Sequence, residues 1–504
     1  MAQLDSPVRV SLVGSYNTRL YHETSTSVSG GIIGIGVIGE MVIGSWSDPS
    51  LRDQRFVNLI PDKIQNPYTG KETYYLYKRP GWASNTTPAA GSIGTAAHIW
   101  IGSSNELVTA FGATNSTVYK DTTSLGAVTG LVERISETII GTTPNLVMST
   151  TGNKAYYYPS GGALTQITDV DFPSNNSLTI TGNFVHMNGY TYIMATDGTI
   201  WNSDLNSLSA WSATSFLSAN MYPDKGVGLA RYKDLIMGFG KESIEFFRDV
   251  GNATGSPLQK VTEATIRIGC INSNSIVSLE DTIAWVSSSD TGSVSIYIME
   301  GYQPKRISTN SIDLFLGERG NNVPYLTAGK ISGKTFLFCT IGVRTFVYCM
   351  EDQIWHEWSS QTILWHQIAV SSSASSAIYA VSRASTSGKT YTISPTSPVF
   401  QDDSVTYESY LQTAMIDFGT DLKKFVNKIH VIATPTTVST SMSISWSDDD
   451  YITFSSSRTV DLVNNYKYIN NISPFRRRAF KLYTNDAYPF RLEALEFELK
   501  QGMH

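Results

Sequence analysis

Charge is what this sequence has least of. Lys, Arg, Asp and Glu supply only 16% of its 504 residues, against roughly a quarter in ordinary soluble proteins. With 11% aromatics, such a composition argues against a solitary monomer and for a surface partly covered by neighbours. Long apolar runs are missing as well. The most apolar stretch, residues 30–44, is short, rich in glycine and interrupted by Glu40, so no membrane insertion is expected. The first twelve residues lack a basic start followed by an apolar run, which predicts a soluble, unsecreted chain. Cys270, Cys339 and Cys349 make neither an even-numbered framework nor a metal-ligand pattern. Buried thiols are expected of them, with a Cys339–Cys349 bridge across a hairpin turned near Val343 and Arg344 as the alternative. The formal net charge of −6 argues against general affinity for nucleic-acid phosphates, which needs basic patches. An acidic wall facing DNA would repel a duplex rather than hold it, which suits a conduit.

What fills the gap is Ser, Thr, Asn and Gly, the residues of short strands joined by turns. From about residue 95 to 395 a β-branched or aromatic run, a turn signal, a second run and a polar loop recur. Seven such segments can be drawn: 98–120, 146–166, 184–211, 227–248, 276–307, 325–358 and 368–393. Val147, Val185, Leu229, Val277, Leu326 and Ile368 mark comparable points about 38 to 49 residues apart, near the period of propeller blades. The spacing predicts a β-propeller. Six blades are favoured, because the first and last segments could share one closing blade; seven is the other count. The clearest hairpin spans 190–201, where Asp197-Gly198 predicts a two-residue type I′ turn. Helical periodicity is confined to 310–316, with Asn310 as the capping residue and Ile312, Phe315 and Leu316 on one face. Beyond Pro395 and Pro398 longer alternating strands, 427–433, 439–446, 479–483 and 491–499, predict a β-sandwich. The expected organisation is an N-terminal segment 1–90 carrying the glycine-rich insertion, a propeller over 91–398 and a sandwich over 399–504, an all-β chain with few short helices.

Catalytic patterns are wanting. Gly34-Ile35-Gly36-Val37-Ile38-Gly39 spells a dinucleotide fingerprint, but no helix follows to carry a phosphate. The stretch reads instead as an interface or channel loop, and no cofactor is expected. Glu242 and Glu245, three apart on a strand, point to opposite faces. The seven histidines fall in no ligand pattern, and His356 and His366, beside Trp355, Trp358 and Trp365, read as packed side chains. Ser447-Asp448-Asp449-Asp450-Tyr451-Ile452-Thr453-Phe454 approaches an Asp-box, with Tyr451 in place of its glycine and Phe454 in place of its tryptophan. A solvated hairpin tip is its plain reading and a calcium site the alternative. Arg476-Arg477-Arg478 is the one dense basic run, suited to salt bridges with a neighbouring subunit or to DNA phosphate.

The runs Asp224-Lys225-Gly226-Val227-Gly228-Leu229, Asp234-Leu235-Ile236-Met237-Gly238-Phe239-Gly240 and Ser243-Ile244-Glu245-Phe246-Phe247 resemble the packaged-DNA stabilisation proteins of short-tailed bacteriophages, also called tail hub or nozzle proteins. Ile268-Gly269-Cys270, Asp281-Thr282-Ile283-Ala284-Trp285-Val286 and Ile307-Ser308-Thr309 extend the likeness. So do Arg55-Phe56-Val57-Asn58-Leu59-Ile60-Pro61 and Arg79-Pro80-Gly81 near the start, and Phe475-Arg476-Arg477-Arg478 with Phe480-Lys481-Leu482 near the end. The resemblance implies a non-enzymatic virion protein of the tail, assembled in the host cytoplasm as a homo-oligomer, a hexameric ring. Its implied partners are the portal-adaptor (head-to-tail connector) ring, tail needle, spike or fibre proteins, and double-stranded DNA passing through the lumen during genome ejection. The alternative is a propeller-type receptor- or glycan-binding tail protein, or a sialidase-like hydrolase.

Overall fold

A computed structural model of the chain describes residues 8–11, 54–65, 72–103, 105–219, 224–252, 254–262, 264–288, 294–318, 320, 322–360, 362–363, 365–370, 377–383, 387–464 and 466–502. The regular structure of the described residues is almost all sheet, with one α-helix. None of their helices is long and apolar enough to cross a membrane. They form two compact units, one of residues 83–343 and 363–397, the other of 1–82, 344–362 and 398–504.

The first unit is a β-propeller. Four-stranded antiparallel sheets span 94–127, 132–166, 180–218 and 226–260, and a fifth sheet spans 269–306. A sixth contributes Tyr325–Ile331 and Lys334–Ile341 to this unit. Blade identity follows from the innermost strands: Gly94–Trp100, Val132–Ile140, Ile180–Met187, Gly226–Tyr232, Ile276–Leu279, Tyr325–Ile331 and Trp365–Val370 each touch the next, and the last touches the first. Of the two blade counts the sequence left open, the described residues show seven. The seventh sheet explains the ambiguity. Its strands Trp365–Val370, Ile378–Ser382 and Thr390–Ile393 are completed by Ala83–Ser84, with Tyr391 opposite Ser84 and Thr392 opposite Ala83. The closing blade does join the two ends of the propeller, yet the segment near 98–120 keeps a full blade of its own.

Aromatic and β-branched side chains pack blade against blade. Ala96, Trp100, Val108 and Val118 of the first meet Val132, Leu146, Met148 and Tyr158 of the second, with Trp100 and Tyr158 edge to face at 5.6 Å. Burial of this kind stabilises by roughly 25 cal/mol per Å² of apolar surface. The hairpin at 190–201 differs from expectation. Gly198 has φ +90 while Asp197 is not left-handed, and the strands end at Ala195 and restart at Thr199. The loop therefore has three residues, with only the last in the left-handed region. Asp197 imposes this by accepting hydrogen bonds from the Thr199 N–H at 3.0 Å and its hydroxyl at 2.6 Å. The helix Asn310–Gly317 is capped by Thr309, not by Asn310, whose side-chain Oδ1 accepts from Arg306 instead. Ile312 and Leu316 face inward, as the periodicity predicts.

The second unit is a two-sheet sandwich. One sheet orders Leu59–Gln65, Glu72–Lys78, Arg491–Gln501, Lys424–Ala433 and Tyr468–Asn470, and Val8–Ser11 also pairs with Arg491–Gln501. The other runs, within this unit, through Arg344–Cys349, Ile354–Trp358, Arg55–Val57, Ser409–Gln412, Ala479–Thr484, Ser441–Ser447 and Arg458–Asp461. Alternation decides the inner faces: Val426, Ile429 and Val431 are buried on one strand while their neighbours look outward. Phe480 of one sheet lies 5.3 Å from Phe497 of the other, and Phe418 and Phe475 complete the cluster. Residues 55–78, which read as neither propeller nor sandwich, thus supply strands to both layers.

Candidate functional site

Propellers usually bind ligands or pass solvent along the axis where inner strands converge. Here Arg134 occupies it. From the second blade its Nη2 reaches the carbonyl oxygens of Asn274 at 2.9 Å and Ile276 at 2.8 Å in the fifth, and of Leu326 at 3.4 Å in the sixth. In a ring of seven, the fifth and sixth blades stand opposite the second, so this side chain spans the axis. Burial pushes its guanidinium down to about 10. Nearby, Asn183 donates to the Leu229 and Ser273 carbonyls, and the Ser275 hydroxyl donates to that of Pro324 at 2.6 Å. Third, fourth, fifth and sixth blades are thereby tied to one another. These bonds cross-tie the inner strands around the axis.

A second cross-tie lies in the sandwich unit. Arg79 is fully buried and all five of its N–H groups find acceptors. Nε donates to Asn58 Oδ1 at 2.7 Å, Nη1 to the Pro80 carbonyl and Asp402 Oδ1, and Nη2 to the Ser359 carbonyl and Asp402 Oδ2 at 2.6 Å. The guanidinium sits 3.9 Å over the Tyr407 ring. Asp402 also accepts the Trp82 N–H. Gly81 is required by proximity: a Cβ there would stand 2.1 Å from the Gln401 carbonyl oxygen. The motif residues Asn58, Arg79 and Gly81 therefore join the three chain segments of this unit, and their work is architectural.

The basic run and the acidic run, read separately in the sequence, meet. Arg478 is buried and grips Asp448 with both arms, Nε to Oδ1 at 2.6 Å and Nη2 to Oδ2 at 2.7 Å. It also donates to the Ser473 carbonyl and hydroxyl at 3.0 Å and stacks 4.3 Å from the Phe475 ring. Arg477 pairs with Asp450 at 2.5 Å. Asp449 turns the other way, accepting from Thr453 and from the Ser447 hydroxyl. Those hydrogen bonds, the Thr453 hydroxyl first, hold its carboxyl down to about 2. The Asp-box turn is thus formed, and Tyr451 adopts φ +69 where the motif has glycine. Its hydroxyl donates to the Thr413 carbonyl at 3.0 Å, which anchors a conformation that costs a non-glycine residue on the order of 1 kcal/mol. Asp448 and Asp450 each pair with an arginine and Asp449 with Thr453 and Ser447, and among the described residues no three His, Cys, Asp or Glu side chains converge as cation ligands. The sequence sent all three arginines outward, whereas two answer their own chain's aspartates. Arg476 stays exposed, donating Nη1 to the Asp421 carbonyl at 2.6 Å.

The remaining candidates are structural or lie elsewhere. Glu245 is buried and ion-paired with Lys260 at 2.7 Å, while Glu242 is exposed. His356 is buried beside Trp358, and burial lowers its pKa to about 3. The side chain of His366 and the whole of Gly34, Ile35, Gly36, Val37, Ile38 and Gly39 lie outside the described residues. Cys270, Cys339 and Cys349 are free and buried, each thiol pushed up to about 12 by burial. Sequence reasoning gave Arg134 no role and named Arg79 only within the Arg79-Pro80-Gly81 likeness, without its partner Asp402.

The described residues thus make a β-propeller cross-tied at its inner strands by Arg134 and a sandwich braced by the Arg79–Asp402 and Arg478–Asp448 pairs. The chain belongs to the family described as Bacteriophage P22 Gp10, beta-propeller, whose model matches residues 46–389. It is a bacteriophage tail and DNA-stabilisation protein of that type and a component of the virion. No curated protein matches the sequence. Among solved structures, the computationally designed Ika8 protein aligns over 62% of this chain and 99% of its own, at 10% identity and a TM-score of 0.37.

Proposed function

We propose that the protein is the tail hub or nozzle: a homo-oligomeric, hexameric ring below the portal and its adaptor. The ring extends the DNA channel, keeps the packaged genome inside and takes part in its ejection. The observation that carries this reading is Arg134 across the propeller axis. A duplex does not pass an axis that a side chain crosses, so a conduit is enclosed by several copies, each acting as one rigid block of wall. Low charge and a net charge of −6 fit buried subunit contacts and a lumen along which DNA slides. The role asks for geometry and electrostatics and for no catalysis. Loops make the contacts with needle, spike or fibre proteins. Of the basic run, Arg476 is the member left for a subunit or DNA-phosphate contact. Assembly takes place in the host cytoplasm before the tail is complete.

The test is the mass of the purified full-length chain, measured alone and with its adaptor ring. Six copies per adaptor ring are expected. A chain that stays monomeric with the adaptor present overturns the proposal.

A further inference from the structure

A depression of about 410 Å³ on the sandwich is lined by Phe425, Val426, Asn427, Asn470, Asn471 and Ile472. Strand pairing creates it. Lys424–Ala433 pairs with Tyr468–Asn470 only from Lys428 to His430, and the two chain segments meet again at the Lys424–Phe475 bridge. Between these ties the chain bows away, with Asn471 at φ +54. Val426 and Ile472 are buried and form the floor. The rim carries the Phe425 ring, 43% exposed, and three exposed carboxamides, Asn427, Asn470 and Asn471. Among the described residues none of these three side chains has a hydrogen-bond partner. Arg458 fixes the rim from its backbone side, donating to the carbonyls of Asn470 and Asn471.

The lining is neutral: no acid and no base belongs to it. Of the cations beside it, Arg458 is held by the Asn470 and Asn471 carbonyls, and Lys428 lies over the Tyr468 ring at 4.3 Å and 3.8 Å from Glu498. An apolar partner pressed onto this rim would leave carboxamides unpaired, at about 1–3 kcal/mol for each one buried. A ligand is called for with one apolar face and many groups that both donate and accept.

We propose that this depression is a binding subsite for a neutral saccharide. A pyranose ring lays its C–H face on Phe425, and its hydroxyls pair with carboxamides, each offering an acceptor oxygen and two donor hydrogens. The volume falls in the ~300–1,000 Å³ range of small-ligand sites. Tyr468, 44% exposed and two residues from Asn470 on the same face of its strand, extends the site to a second sugar unit. With no carboxylate in the lining, the site binds without cleaving.

The test uses the full chain with maltotetraose, chitotetraose and a galactan tetrasaccharide, read by saturation-transfer NMR and calorimetry. At least one should receive transfer. Phe425→Ala should weaken its affinity about tenfold, and Asn427→Ala with Asn470→Ala should do so too, while Ile452→Ala, at an exposed position elsewhere, should leave it unchanged. All four positions are exposed, so thermal midpoints should match the parent. Absence of transfer to all three sugars overturns the proposal, as does binding that survives both lining variants. Neither result bears on the ring, which is judged by mass.

Discussion

Arg478 and Asp448 form a two-armed ion pair in which the guanidinium is wholly buried while the carboxylate remains 46% exposed. The asymmetry sets what each partner does. Arg478 is the structural member, holding the chain before Ala479–Thr484 against the acidic loop; Asp448 keeps its charge partly solvated and supplies the counter-ion.

Arg478→Ala should therefore cost about 3 kcal/mol, since it strands the Ser473 carbonyl and leaves a cavity between Phe475 and Trp446. Asp448→Asn should cost about 1 kcal/mol, because solvent screens that side. Urea denaturation followed by tryptophan fluorescence checks the order. Equal costs would mean that the pair is held by its charge alone. Arg476→Glu, at the exposed position, should leave stability within about 0.5 kcal/mol of the parent.

At Arg79 the fork matters more than the charge. Arg79→Lys keeps a cation beside Asp402 but offers three donors from a single point where five acceptors are fixed in space. A loss of about 3 kcal/mol is expected. Gly81→Ala meets the Gln401 carbonyl at 2.1 Å and should yield insoluble chain, as the Gln401 atoms that its Cβ meets are all backbone. Soluble Gly81→Ala protein with a parental melting curve would refute this account of the motif.

Acid should loosen the fold through His356. Its folded pKa, about 3, lies below the unfolded value near 6.5. Between these limits the unfolded chain binds one more proton, so stability falls as pH drops through 6.5 and the loss is complete below about 3. Carboxylates titrate in the same window, so the variant isolates the histidine. His356→Leu should flatten the plot of urea midpoint against pH between 6.5 and 3, and an unchanged slope would show that the imidazole is charged within the fold.

Blade-forming segments were legible because alternation and turn residues are local. All seven predicted segments fall on seven sheets, and the strands of 427–433, 439–446, 479–483 and 491–499 are found with ends shifted by a few residues. What escaped depends on distant partners. Nothing near Arg477 or Arg478 announces Asp450 and Asp448, some thirty residues earlier in the chain and on another strand's loop. Arg134 reads as an outward charge on an alternating strand until a ring places three carbonyls across from it. The turn at Asp197 was misjudged for a nearer reason: its own carboxylate outcompeted the two-residue geometry that Asp-Gly ordinarily favours.

The blade count turned on the same kind of distance, and closure is open to test at Thr390. This buried hydroxyl accepts from the Thr86 N–H at 3.1 Å and the Asn85 amide at 3.2 Å, and lies 2.7 Å from the Thr86 hydroxyl. Backbone bonds from Asn85 to Thr390 and back from Thr390 to Thr86 flank it. Thr390→Val keeps the shape and removes the hub, leaving donors at 85 and 86 unpaired at about 1–3 kcal/mol. Because Ala83–Ser84 adds only two residues to the closing blade, the loss should appear first as local opening. Hydrogen exchange at Asn85 should quicken about tenfold or more while the strands of 226–260 keep their protection. Uniform acceleration across all blades would instead mean that closure and global unfolding are one event.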